Sequence, residues 1–177
     1  MKVEMIFSGF GGQGALTAGK FIAEAAMTEG KNVSWFPSYG PEMRGGTANV
    51  FTIVSDNPIA SPLVSKPDVA VVFNQPSLDK FGPNVKQKGL IIVNSDMCPN
   101  IVKRDGVEYI VAPLNTIAQE IGSPKILNMI ALGIIIKKLG LVTYESVEKT
   151  LRDAMTGGKA EKLLEMNLKA VKKGMEL

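Results

Sequence analysis

The chain has 177 residues, of which 45% are hydrophobic and 21% charged, and a formal charge of +3. That is the profile of a globular chain large enough for a real core, and the charge is too small to argue for nucleic acid. One cysteine, Cys98, and no histidine exclude much chemistry. An iron–sulfur cluster needs four ligands, a zinc site would lack its usual donors, and Ser-His-Asp or Cys-His catalysis would lack its base.

Val3 to Phe7 predicts a short buried strand. Leu16 to Glu29 predicts a helix, with Leu16, Ala18, Phe21, Ile22, Ala25 and Ala26 on one stripe and Gly30 as the C-terminal cap. Between them lies Gly9-Phe10-Gly11-Gly12-Gln13-Gly14, a turn whose backbone can bend sharply and let another surface approach. The amides that open the next helix point outward and favour an anion. Asn32 to Phe36 predicts the second strand, and Ala48 to Ser55 the third. The link between these two is short, so the pair is expected to be antiparallel and the sheet mixed.

Ser61 to Pro67 reads as a proline-punctuated connection. Asp68 to Phe73 is apolar after its first residue and reads as a central fourth strand. Gln75 to Phe81 predicts a short helix with Pro76 in its first turn. Gly89 to Val93 and Val107 to Val111 read as the fifth and sixth strands. The last third is helical. Thr116-Ile117-Ala118-Gln119 fits a capping box, with Gly122 as the stop. Ser123 caps an almost wholly apolar helix from Pro124 to Leu139, which Gly140 ends. Thr143 caps a helix to about Met155, and Ala160 to Lys173 is a final amphipathic helix. Strands alternating with helices predict one domain over residues 1–177, a three-layer α/β/α sandwich with a mixed, mostly parallel sheet.

Two loops carry the functional signal. Gly9, Gly11 and Gly14 match G-x-G-x-x-G between a strand and a helix, the context of a dinucleotide fingerprint. That fingerprint also wants an acid at the end of the second strand, and here the strand ends Ser34-Trp35-Phe36-Pro37. A tight turn with no ligand is the plain alternative. Gln13 argues against it, because a long amide among glycines has nothing to pack on and can reach a ligand or another chain. The second loop, Pro37 to Gly46, holds Tyr39, Gly40, Pro41, Glu42, Arg44, Gly45 and Gly46. A stiff loop with a guanidinium suits a carboxylate, a phosphate or an interface; a solvated Glu42–Arg44 pair of little energetic weight is the alternative. Cys98 reads as a structural thiol. Asn74, Asn94 and Asp96 follow strand ends, where α/β sheets place ligands, and read more readily as turn and cap residues.

Taken together, the Gly9–Gly14 loop and Ser38-Tyr39-Gly40-Pro41-Glu42-Met43-Arg44-Gly45-Gly46 resemble the gamma subunit (gamma domain) of 2-oxoacid:ferredoxin oxidoreductases. The likeness continues through Ser61-Pro62, Pro67-Asp68, Asn74-Gln75-Pro76-Ser77-Leu78 and Gly89-Leu90-Ile91-Ile92-Val93-Asn94. Thr47 after the second loop brings it closer to the 2-oxoglutarate or ketoisovalerate type than to the pyruvate type. The resemblance implies oxidative decarboxylation of a 2-oxoacid to an acyl-coenzyme A, with electrons passing to ferredoxin. Thiamine diphosphate, magnesium and iron–sulfur clusters would sit on alpha and beta subunits, with or without a ferredoxin-like delta subunit.

This chain would bind none of these cofactors alone and supply no catalytic group or metal ligand. Gly11, Gly12, Gln13, Gly14 and Tyr39 to Gly46 would line a shared coenzyme A-side surface. A free-standing nucleotide-binding module and a purely architectural subunit are the competing readings, and a homodimer is one option for the isolated chain. Met1-Lys2-Val3-Glu4 does not read as a signal peptide. The longest apolar run, Ile126 to Ile136, is too short for a bilayer and contains Asn128. The expectation is a cytoplasmic chain without membrane or nucleic-acid partners.

Overall fold

The structure, a computed structural model, describes residues 1–38 and 47–177, without the side chains of residues 47 and 158–160. Its centre is a six-stranded sheet of order β2-β3-β1-β4-β5-β6. The strands are β1 (Lys2–Phe10), β2 (Asn32–Ser38), β3 (Thr47–Ser55), β4 (Val69–Val72), β5 (Leu90–Asn94) and β6 (Glu108–Ala112). β1, β4, β5 and β6 pair in parallel, and β3 pairs antiparallel with both β1 and β2. The sheet is therefore mixed and mostly parallel, with β3 alone running against the other five strands. β4 and β5 are buried on both faces, as their unbroken apolar runs demand.

The helices are α1 (Ala15–Thr28), α2 (Gln75–Phe81), α3 (Leu114–Ile121), α4 (Leu127–Leu139), α5 (Tyr144–Ala154) and α6 (Gly158–Met175). The two layers that enclose the sheet are unequal. Phe7, Val50, Val71 and Ile92 pack into a large core with residues of α1, α3, α4, α5 and α6. Ile6, Ala70, Val72, Ile91 and Val93 pack on the other face against Leu78, Val85 and Cys98. Ten consecutive residues of α4, Leu127 to Ile136, are buried, so its apolar circumference faces protein all round. α4 meets α6 backbone to backbone. A methyl group on Gly133 would strike the Val171 carbonyl, and one on Gly174 would strike the Ile130 carbonyl.

Several local expectations change, among them the apolar helix expected from Pro124, whose first turn, Pro124–Ile126, is 3-10 before α4 begins at Leu127. β1 runs on to Phe10, because its whole length pairs with the long β3, so Gly9 lies in the strand opposite Ala48 and the turn proper is Gly11 to Gly14. Pro37 lies inside β2, an edge strand, where a missing N–H does no harm. The capping box at Thr116 does not form. α3 starts three residues earlier, and its amides are taken from outside: Leu114 N–H donates to Asn94 Oδ1 (3.1 Å) and Thr116 N–H to Asp96 Oδ2 (2.8 Å). The final helix also starts early, at Gly158.

Candidate functional site at the carboxyl edge of the sheet

Both loops spring from the same edge of the sheet. β1 ends at Phe10, which pairs with Thr47 at the start of β3, and Ser38 at the end of β2 pairs with Asn49. The stems of the second loop thus stand beside the first loop. Tyr39, Gly40, Pro41, Glu42, Arg44, Gly45 and Gly46 themselves lie outside the described residues.

The glycine turn needs its glycines. Gly12 has φ +97° and Gly14 φ +77°, values that side chains with a Cβ avoid. Gly11 and Gly12 are exposed, and a side chain at Gly12 would point into open space. Gly14 is the residue before α1. No side chain caps α1 and no acid lies in its first turn, so that end of the helix keeps its partial positive charge for an outside anion. The indole N–H of Trp35 on β2 donates to the Leu16 carbonyl (3.3 Å), and Trp35 is 37% exposed.

Gln13 differs from its sequence expectation. Its side chain turns inward and has good partners. Oε1 accepts the Phe10 N–H (2.7 Å) and a longer bond from Asn74 Nδ2 (3.4 Å), while Nε2 donates to the Phe73 carbonyl (3.2 Å). The space comes from Gly9, where a Cβ would lie 2.7 Å from Gln13 Oε1 and 2.9 Å from Phe73 Cβ. Gln13 thus fastens the turn to β4.

The same edge gathers polar side chains, most of them buried. Ser8 Oγ donates to Asn49 Oδ1 (2.5 Å) and meets Ser77 Oγ at 2.8 Å. Asn74 caps α2 through Ser77 N–H (2.9 Å). Asn94 donates to the Phe73 carbonyl (3.1 Å) and to Asn115 Oδ1 (2.7 Å). Asp96 also accepts the Thr116 hydroxyl (3.0 Å). Asn74, Asn94 and Asp96 are therefore caps and ties. Asn128, on the far helix α4, donates to the Gly14 carbonyl (3.2 Å). Sequence reasoning met Asn128 only as a break in an apolar run; the signal was its polarity inside that run.

Elsewhere, a cleft of about 520 Å³ between α5 and α6 is lined by Tyr144, Glu148, Arg152, Lys169 and Lys172 and carries both signs of charge. Cys98 is buried, and burial, helped by Asp79, pushes its thiol up to about 12, so it stays protonated. Among the described residues no three His, Cys, Asp or Glu side chains group to hold a metal ion, and no helix is long and apolar enough to cross a membrane.

Residues 4–177 match the family described as pyruvate ferredoxin/flavodoxin oxidoreductase. The chain is 37% identical, over 99% of its length, to ketoisovalerate oxidoreductase subunit VorA of Methanothermobacter marburgensis, and spans about 36% of that longer protein. The crystal structure of the keto/oxoacid ferredoxin oxidoreductase gamma subunit of Geobacter sulfurreducens superimposes with a TM-score of 0.84 at 31% identity, covering 98% of this chain and 96% of that one. The 2-oxoglutarate:ferredoxin oxidoreductase of Magnetococcus marinus, solved with 2-oxoglutarate, coenzyme A and succinyl-CoA bound, gives 0.89 at 25% identity over 99% of this chain and 30% of that one. With the whole fold and nearly every residue matched, the chain belongs to the pyruvate ferredoxin/flavodoxin oxidoreductase family and is of its gamma-subunit type.

Proposed function

We propose that the chain is the gamma subunit of an oxidoreductase complex that converts a 2-oxoacid and coenzyme A into an acyl-CoA and carbon dioxide, passing two electrons to ferredoxin. The observation that carries this reading is the pairing of Phe10 with Thr47, which sets the stems of both loops side by side at one edge of the sheet. There the exposed Gly11–Gly12 backbone and the uncapped start of α1 offer amides to an anion, and Arg44 is assigned to the same surface from its sequence alone. Coenzyme A carries phosphates that suit such a surface. 2-Oxoglutarate is the favoured substrate; the relatives carry the names of ketoisovalerate, 2-oxoglutarate and pyruvate/ketoisovalerate enzymes.

The residues present do not fit the redox and thiamine cofactors. There is one thiol, and no Gly-Asp-Gly segment of the kind a thiamine diphosphate–magnesium site uses. Those groups are assigned to alpha and beta subunits, with or without a ferredoxin-like delta subunit, and decarboxylation with them. This chain holds and orients the coenzyme A side of the shared site in the cytoplasm, and moves no proton of its own.

The dinucleotide alternative is weakened by topology. In a dinucleotide fold the strand bearing the ribose acid lies next to the first strand. Here β3 intervenes, moving β2 about 10 Å from β1, two strand spacings. A second reading, in which the loops only dock partner chains, draws support from the inward turn of Gln13.

Co-expression with the alpha and beta chains tests the proposal. The expected result is a stable complex whose coenzyme A-dependent ferredoxin reduction needs this chain and is fastest with 2-oxoglutarate. A chain that elutes alone, beside a complex equally active without it, overturns the proposal. Arg44→Ala separates the two readings: a raised KM for coenzyme A supports contact, whereas weakened assembly at unchanged KM supports docking alone.

A further inference from the structure

α4 is a core helix, yet its second residue is an amide. Asn128 is 4% exposed and sits among Leu127, Met129, Ile130 and Ala131. Burying a carboxamide is unfavourable unless it is bonded, and a helix built for stability alone would carry leucine there. Its amide nitrogen donates to the Gly14 carbonyl at 3.2 Å. That oxygen also accepts the Ala18 N–H (2.9 Å), the first bond of α1. The contact is close from the other side too, since a Cβ on Gly14 would lie 2.5 Å from Asn128 Nδ2.

We propose that Asn128 is a positioning residue, holding Gly14 in its left-handed conformation and so aiming the Gly11–Gly12 backbone and the first turn of α1 at whatever occupies the carboxyl edge. Glycine before a helix has no side chain with which to cap it, so the orientation of the Gly14–Ala15 peptide has to be set from outside. Asn128 sets it from the helical layer. From the sheet side, Gln13 binds Phe10 N–H and the Phe73 carbonyl, and Asn94 binds the same carbonyl. The turn is thereby clamped between two layers by three carboxamides on α4, the loop and β5. Preorganisation of this kind lowers the ordering cost when an anion or a partner arrives. The functional half of this inference rests on the gamma-subunit reading above; the conformational half does not.

The test is Asn128→Leu, with Asn128→Ala as a second variant, in the full chain. Both are expected to fold, with the Leu melting temperature equal to or above that of the parent. Amide hydrogen exchange of residues 11–16 should accelerate at least tenfold, with α6 unchanged. In the reconstituted complex, KM for coenzyme A or the dissociation constant for the partner chains should rise about tenfold, with kcat within twofold. Unchanged exchange at residues 11–16 in both variants overturns the inference. So does faster exchange with unaltered KM and association, in a complex whose activity depends on the parent chain. If the parent chain neither joins nor activates a complex, the gamma-subunit reading falls, and the exchange measurement alone decides the role of Asn128.

Discussion

The two ends of the sheet are held by different chemistry. The amino end is fastened by ions. Lys86 bridges Glu4 and Asp68, both at 2.8 Å, Lys2 pairs with Glu4 (2.7 Å), and Lys138 pairs with Glu108 (2.8 Å). Glu29, where α1 ends, accepts the Thr143 N–H (2.7 Å) and the Ser146 hydroxyl (2.7 Å) and pairs with Lys31 (3.1 Å). The carboxyl end is fastened mainly by neutral amides and hydroxyls: Ser8, Asn49, Asn74, Asn94 and Asn128, all buried. Buried charges must be paired or they cost dearly, whereas neutral amides can be fully bonded and still leave the local field to an incoming anion. Among the described residues, charge holds the amino end and neutral groups hold most of the carboxyl end, where Asp96 at the start of α3 is the charged exception.

The largest effect is expected at neither end, which gives the comparison its scale. Gly133→Ala or Gly174→Ala drives a methyl group into backbone across the α4–α6 contact and should cost about 3 kcal/mol or more, read from denaturant unfolding. A smaller loss there would mean the helices slide apart freely, and the ends would then matter more than the middle.

The next effect belongs to the amino end. Burial by itself would raise the Glu29 pKa, but the bonds from Thr143, Ser146 and Lys31 outweigh it and hold the carboxyl down to about 2, against an ordinary 4.5. A depressed carboxyl stabilises fully above its unfolded pKa and loses that contribution as pH falls through the folded one. Glu29→Ala should therefore cost about 2 kcal/mol at pH 7. The gap between parent and variant should close between pH 4.5 and 2, seen in unfolding curves taken across that range. Coenzyme A-dependent activity at pH 7 should not change; if it falls, the division of labour between the ends is wrong.

At the carboxyl end, Gly12→Ala and Gly14→Ala form a graded pair. Both need positive φ, which costs about 1 kcal/mol for a residue with a Cβ, but only Gly14 also meets Asn128. Gly14→Ala should be the more destabilising by about 1 kcal/mol, and equal losses would mean that Asn128 does not press on the turn. In the smaller core, Cys98 in the native chain should react with a thiol reagent at least a hundredfold more slowly than in denaturant, because it is buried and protonated.

Much of this architecture was readable from residues alone, for reasons that can be named. Asp68 to Phe73 and Gly89 to Val93 are apolar runs between turn residues and became the buried β4 and β5. Gly30, Gly122 and Gly140 ended helices at positive φ, and Thr143 and Asn74 capped helices through their own side chains. What was hidden depended on residues far apart in the chain. Nothing near Leu114 says that Asn94 and Asp96 cap α3. The inward turn of Gln13 needs Phe73, sixty positions away, and the absence of a Cβ at Gly9. Asn128 stands 114 residues from Gly14. At the site, the glycine turn and its place at a strand end were visible, but the clamp around it was not, because a clamp is a property of the packed layers.

Trp35 is the chain's one tryptophan, and its place gives the molecule a built-in optical probe. The indole is tied to the first turn of α1 through Leu16, while over a third of its surface meets solvent. Tryptophan emission shifts with the polarity around the ring, so whatever covers the β2 strand beside the first turn of α1 announces itself as a blue shift in the intrinsic fluorescence, without a label, a mutation or an assay of turnover.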